Sequence, residues 1–288
     1  MAGLLQGKRG LITGPLDDKS IAWKVAETAH QQGAQLVLTN APVAKRMGAL
    51  DTLGEKIAAP IFYADLTQDE DVRKLVDDST NALQGPLDFV LHSVGMSPNV
   101  RKKRGYTELN YDFLHKTLDI SAISLHRLLQ TCWDRDAIAE NGSVLALSYI
   151  AAQRVFPYYN DMAEAKAMLE SIVRSFGYHY GQRKGVRINA VSQSPTMTTA
   201  GSGIKGFDGF FDFAEKMSPL GNASAQECAD YCVMLFSDFA RKVTMQTLFH
   251  DGGFSNTGIG EEMMHLFSSQ VTPPEEAAPQ RQDDPSPS

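Results

Sequence analysis

The chain is predicted to fold as an α/β protein, a doubly wound parallel sheet of about seven strands with helices on both faces. Between Lys8 and Ser192, short β-branched or apolar runs alternate with longer segments of helical period, the pattern of strands joined by crossover helices. The first run ends on Gly14, and a helix start follows at Ser20. Hydrophobic residues make up 43% of the 288 and charged residues 21%, enough apolar material for one core of enzyme size.

The expected strands are residues 10–13, 35–40, 61–64, 88–92, 143–148 and 187–192, with a seventh at 247–250. Expected helices begin near Ser20, Val43, Asp69, Tyr111 and Tyr159, each marked by capping or acidic residues or by apolar residues three to four apart. Residues 1–270 form one domain in this reading. Residues 271–288 hold five prolines, four acids and one arginine, too little apolar area to order themselves, and are expected to be a disordered acidic tail.

With 34 acidic residues against 27 basic ones, the net charge of −7 offers no general attraction to a polyphosphate, so nucleic acid is not an expected partner. Three cysteines, Cys132, Cys228 and Cys232, show no Cys-x-x-Cys spacing and fit a reducing compartment. No apolar stretch has the length of a signal peptide or a membrane span, so a cytoplasmic protein without membrane insertion is expected. His92 and His250 end strands without a second ligand at metal spacing, and no metal site is expected.

The turn from Gly14 to the helix opening at Ser20-Ile21 places a helix N-terminus where a pyrophosphate can bind, although the same residues also read as an ordinary capped helix. Two later strand ends point to the same crevice: Asp65-Leu66 after the third strand and Ser93-Val94-Gly95 after the fourth, the glycine allowing close approach to a nucleotide. Asp65 reads equally as a helix cap. The second strand ends in Asn40-Ala41 without the acid that commonly binds the adenosine ribose, so NADH is expected with NADPH left open; Lys45 and Arg46 read as phosphate contacts or as solvated surface.

Tyr149 follows the fifth strand, and Tyr159 lies seven residues before Lys166. If Tyr159 opens the next helix, two turns place phenol and ammonium on one face, roughly 10 Å apart along the axis. That wide spacing suits conjugate reduction, in which hydride reaches a β-carbon while charge develops on a thioester oxygen. Tyr159 would then hydrogen-bond the developing enolate and Lys166 would hold the nicotinamide ribose. Tyr149 reads as a second hydroxyl of the acyl pocket or as an aromatic at a strand end.

At these residues the sequence resembles the enoyl-acyl-carrier-protein reductases of the short-chain dehydrogenase type, over roughly residues 5–258. The resemblance rests on Gly14-x5-Ser20-Ile21-Ala22, His92-Ser93-Val94-Gly95, Ser148-Tyr149, Tyr159-Asn160-x-Met162-x-x-Ala165-Lys166, Val186-Arg187-Ile188-Asn189, Ser202-Gly203-Ile204-Lys205 and His250-Asp251-Gly252-Gly253-Phe254. It implies a Rossmann-type homotetramer reducing the trans-2 double bond of enoyl thioesters on acyl carrier protein. Tyr149, Tyr159 and Lys166 would be catalytic. Gly14, Ser20, Ile21, Asp65, Leu66, Val94 and the segment after Pro195 would bind cofactor, with Thr196, Met197 and Thr198 at the carboxamide. Ser97 would line the substrate wall.

The resemblance also implies a lid near residues 196–217. Phe207, Phe210, Phe211 and Phe213 beside Gly201, Gly203, Gly206 and Gly209 suit a movable apolar cover, or else a surface helix packing its phenylalanines inward. Departures from the family pattern are Asn40-Ala41 where Tyr-Gln is common, Thr196 where an aliphatic residue is frequent, and Gln193-Ser194 in place of Ala-Gly. A carbonyl or alcohol reductase of the same fold, and a non-catalytic dinucleotide sensor, are the rival readings.

Overall fold

A computed structural model describes residues 3–199 and 207–269. The proposed tail, residues 271–288, and the lid glycines Gly201, Gly203 and Gly206 lie outside the described residues. The strands are β1 (Arg9–Thr13), β2 (Gln35–Thr39), β3 (Leu87–His92), β4 (Ile138–Ser148), β5 (Arg187–Gln193) and β6 (Thr247–His250). All pair in parallel, in the order β2-β1-β3-β4-β5-β6.

The expected strand at residues 61–64 is reduced to an isolated bridge between Ile61 and Leu38. Its backbone runs along the outer edge of β2, where Leu38 N donates to Pro60 O, Phe62 N to Leu38 O and Ala64 N to Asn40 O. Pro60 has no amide hydrogen to extend the ladder, which stops the segment short of a full strand.

The sheet is buried on both faces, as parallel sheets are, and each face carries its own core. One core packs Ile12, Leu38, Phe89 and Leu91 against α1 (Ile21–Gln31) and α9 (Ala225–Phe236), with the rings of Phe89 and Phe236 4.5 Å apart. The other packs Leu11, Val90 and Ile188 against α3 (Asp69–Ala82), α6 (Ser124–Asp134) and α7 (Met162–Lys184). Between lie α2 (Ala49–Lys56), α4 (Pro98–Arg101) and α5 (Tyr111–Leu118), and beyond β5 come α8 (Phe207–Met217) and α10 (Glu261–Ser268).

The motif residues Arg187 and Asn189 serve the fold. The Arg187 guanidinium donates to the carbonyls of Leu235, Phe236, Ser237 and Ala240, placing a cation on the carbonyl end of α9, where the helix dipole favours it. Asn189 donates to Val243 O and accepts from Gln246 N, fixing the approach of β6.

Candidate active site

Strands are added to one side of β1 with β2 and to the other side from β3 onward, so the crevice at the carboxyl ends of β1 and β3 is the topological switch point. Gly14 closes that end of β1 at φ +87°, and a Cβ built there would lie 2.0 Å from the carbonyl oxygen of Ser93. Only glycine permits both the turn and the contact. Ser93 N in turn donates to Thr13 Oγ1 at 3.1 Å.

Ser20 is the N-cap of α1: its Oγ accepts from Trp23 N and Leu16 N and donates to Asp17 O. One hydroxyl therefore shapes the whole turn and leaves the first amides of an eleven-residue helix open to an anion. Asp65 is not the cap of α3, whose N-cap is Gln68; its carboxylate instead holds a turn, accepting from Thr67 N and Thr67 Oγ1 with one oxygen. Leu66 is buried beside it. At the end of β2, Asn40 donates to Pro15 O at 2.8 Å, so the residue standing in place of the ribose-binding acid instead ties β2 to the glycine turn.

Helix α7 begins at Met162 rather than Tyr159. Tyr158 and Asn160 both have positive φ, +70° and +47°, which interrupts the helical path and puts Tyr159 in a turn ahead of it. The expected spacing of two helical turns between Tyr159 and Lys166 is therefore corrected: the seven residues comprise a turn followed by a little over one turn of helix. The rings of Tyr149 and Tyr159 lie 5.0 Å apart, in an apolar cluster with Ile150, Ala151, Phe156 and Phe254.

Tyr149 is buried and its Oη has no hydrogen-bond partner among the described residues. Burial raises the pKa of both phenols above the ordinary tyrosine value, so at neutral pH each is a hydrogen-bond donor. Lys166, 8% exposed, donates from Nζ to Leu147 O at 2.7 Å and has further hydrogens to offer. Burial pulls its ammonium down to about 8, opposed by the charge of Glu170. A Cβ added to Gly95 would come within 3.8 Å of Lys166 Nζ, so the β3 end and the lysine meet in one crevice.

Ser97 is brought to this crevice with its hydroxyl already engaged: Oγ donates to Asp161 Oδ1 at 2.6 Å and accepts from Val100 N as the N-cap of α4. Any contact of Ser97 with substrate falls to other atoms of the residue. Thr196 Oγ1 likewise bridges within the protein, donating to Ser194 O and accepting from Gln193 Nε2. Thr196, Met197 and Phe211 line a cavity of about 250 Å³ with Asn222, Ala223 and Ser224. Phe213 is 41% exposed and its ring lies 6.2 Å from Phe254, so part of the expected lid does border the tyrosine cluster.

Three supporting features escaped the sequence reading. Asp161, fully buried, accepts from Ser97, from Asn99 Nδ2 and from Thr117 Oγ1. Glu170 accepts from Ser148 and Gln153 one helical turn past Lys166. A π-helical turn, Asp119–Ile123, leads into α6, where Ser124 Oγ sits 2.9 Å from His92 Nε2. A four-residue spacing of Lys166 and Glu170 was visible in the sequence; the partners of Asp161 lie too far apart along the chain to be read from it.

A family model described as Enoyl-(Acyl carrier protein) reductase matches residues 14–255. The enoyl-[acyl-carrier-protein] reductase [NADH] FabI of Aquifex aeolicus is 34% identical over 261 residues, covering 89% of this chain and 94% of the relative. A crystal structure of a FabI–NADH complex from Alistipes finegoldii superposes with a TM-score of 0.91 at 56% identity, covering 97% of this chain and 98% of that one. The FabI of Aquifex aeolicus superposes at 0.83 with 33% identity, covering 89% and 100%. Sequence motifs, sheet order and these similarities agree: this chain belongs to the enoyl-acyl-carrier-protein reductase family.

Proposed function

We propose that the protein is an NADH-dependent enoyl reductase that saturates the trans-2 double bond of acyl-carrier-protein thioesters, the last step of the fatty-acid elongation cycle. The observation that carries this is the unpartnered, buried Tyr149 hydroxyl beside the ring of Tyr159. An unmet donor in an apolar cluster costs about 1–3 kcal/mol, which an acceptor atom of an acyl substrate entering the pocket beside Tyr159 would recover.

The crevice also fits a reduced dinucleotide. Gly14, Ser20 and Ile21 would hold the pyrophosphate at the α1 N-terminus, Asp65 and Leu66 the adenine, and Ser93, Val94 and Gly95 the ribose and nicotinamide face. Lys166 would bind the nicotinamide ribose with the hydrogens not given to Leu147, and Thr196, Met197 and Thr198 the carboxamide. When bound, reduced nicotinamide supplies a hydride to the β-carbon. Tyr159 donates a hydrogen bond to the thioester oxygen, where negative charge develops, and Tyr149 lines the acyl pocket. The cluster around them keeps bulk water from the developing charge and strengthens that bond, and a proton taken from solvent onto the α-carbon after hydride transfer completes the saturated acyl group.

We also place the substrate lid at residues 196–217 and read the assembly as a homotetramer, for which Tyr178, Phe239, Leu266 and Phe267 offer exposed apolar area. Light scattering on the eluting protein measures the second. Reduction is tested by following NADH and NADPH oxidation in parallel with crotonyl and β-ketoacyl thioesters. The proposal requires turnover of the crotonyl substrate with NADH; activity confined to the β-ketoacyl substrate would contradict it.

A further inference from the structure

Gln193 ends β5 and His250 ends β6, and the parallel register pairs them, so their side chains share one face at the carboxyl edge of the sheet. His250 Nδ1 lies 2.8 Å from Gln193 Oε1. The Gln193 amide nitrogen donates in turn to Thr196 Oγ1 at 3.2 Å and to Ala223 O at 3.3 Å. A carbonyl can only accept, so Nε2 faces Ala223 and Oε1 faces the imidazole, whose Nδ1 must carry its hydrogen. Gln193 is buried, with its oxygen and both amide hydrogens engaged.

Helix α9 anchors this relay. Ala223 precedes the N-cap Ser224, whose capping box with Glu227 fixes the helix start. One turn past Glu227, Tyr231 stacks on His250 with ring centroids 4.8 Å apart and planes 13° apart. Ser194 adds a second tie, its Oγ accepting from Ala223 N at 2.8 Å and its N donating to His250 O. At the far end Thr196 passes the relay on, its hydroxyl donating to Ser194 O. Gln193, Ser194 and Thr196 are three positions at which this chain departs from the family pattern, and they form one hydrogen-bonded unit. Alanine at 193 and an aliphatic residue at 196 could make none of these side-chain bonds.

We propose that Gln193 is a positioning residue: anchored on His250 and Ala223, it sets the segment Thr196-Met197-Thr198 and through it the pose of the nicotinamide. The inference rests on the reading that this segment holds the cofactor carboxamide. Hydride transfer requires the reacting atoms at about 3–3.5 Å, so a small displacement of the carboxamide costs rate as well as affinity.

The test compares NADH with ADP-ribose, which carries the adenosine and pyrophosphate but no nicotinamide. By calorimetry, Gln193→Ala is expected to raise the Kd for NADH about tenfold and to leave that for ADP-ribose within about twofold. With a crotonyl thioester, kcat should fall about tenfold while KM for the thioester holds. His250→Phe keeps a ring on Tyr231 but removes the Nδ1 donor; the Kd for NADH should rise about threefold, again without an effect on ADP-ribose. This variant carries the same comparison should Gln193→Ala not fold. On a Thr196→Val background, which lacks the hydroxyl that Gln193 addresses, the Gln193→Ala penalty should shrink to about threefold.

An unchanged Kd for NADH in Gln193→Ala, a loss of equal size on ADP-ribose, or a penalty undiminished on the Thr196→Val background would each overturn the proposal. Failure of the underlying reading looks different: wild type would bind NADH no more tightly than ADP-ribose, leaving no carboxamide site for Gln193 to set.

Discussion

The hydroxyl of Ser97, before α4, lies 2.6 Å from the carboxylate of Asp161, at the start of α7. Asn99 and Thr117 complete the shell, so the wholly buried carboxylate is met by three donors at the positive end of a 23-residue helix. This arrangement locks the loop after β3 to the turn carrying Tyr159, two residues away, and makes Asp161 a positioning residue.

Asp161→Asn removes the charge and leaves an amide NH2 that either opposes Asn99 Nδ2 or forces the Ser97 or Thr117 hydroxyl to turn from donor to acceptor. It is expected to lower stability by about 3 kcal/mol, read from the urea midpoint, and kcat/KM by about tenfold. Asp161→Glu should not restore activity, because the three donors are set for the shorter side chain. Activity equal to wild type in Asp161→Asn at matched folding would remove the positioning role.

Gly14→Ala forces a Cβ toward the Ser93 carbonyl in left-handed backbone. Strain of about 1–3 kcal/mol is expected to appear as weaker NADH binding, about ten- to hundredfold, in a titration of nicotinamide fluorescence. Binding unchanged from wild type would show that the turn does not shape the nucleotide site.

Most strands were legible as short apolar runs between breakers, though residues 61–64 form only a bridge and β4 begins earlier, at Ile138; the helix starts were legible at Ser20 from a side-chain cap and at Asp69 from an acidic first turn. Tyr159 was misplaced onto the helix because the positive φ of Tyr158 and Asn160 belongs to residues that carry no glycine signature. The catalytic candidates could be named from Tyr149, Tyr159 and Lys166. What supports them could not, since Ser97, Asn99 and Thr117 reach Asp161 across 64, 62 and 44 residues of chain. The hydroxyls of Ser97 and Thr196, two positions that the family resemblance places at substrate and cofactor, also bond within the protein, which no sequence signal announced.

Lys166 has its ammonium lowered by burial to about 8 from the usual 10.5. In the free protein the charge that would bind the cofactor ribose is complete below pH 8 and lost as pH rises through it. The dissociation constant for NADH is therefore expected to climb above pH 8 with a one-proton step. Lys166→Arg should move that step out of the accessible range, and Lys166→Ala should weaken cofactor binding at all pH values. A flat profile in wild type would contradict the assignment.

His92 is fully buried beside Lys166, and burial lowers its imidazole to about 3 from 6.5. Between those values the unfolded chain binds a proton that the folded chain refuses, so stability should fall as pH drops from 6.5 toward 3. Urea unfolding of wild type against His92→Gln is expected to show a shallower acid decline in the variant. Parallel declines would assign the acid sensitivity to other groups.

The role given to the tyrosine cluster is tested most directly by NADH oxidation with a crotonyl thioester in wild type, Tyr159→Phe and Tyr149→Phe, with NADH affinity measured alongside. The expected result is efficient turnover by wild type and a fall in kcat of about a hundredfold or more in Tyr159→Phe, with NADH affinity nearly unchanged. Tyr149→Phe should chiefly raise KM for the thioester. Full turnover by Tyr159→Phe, or an equal loss of NADH binding and of kcat, would contradict the assignment of that phenol to the developing enolate.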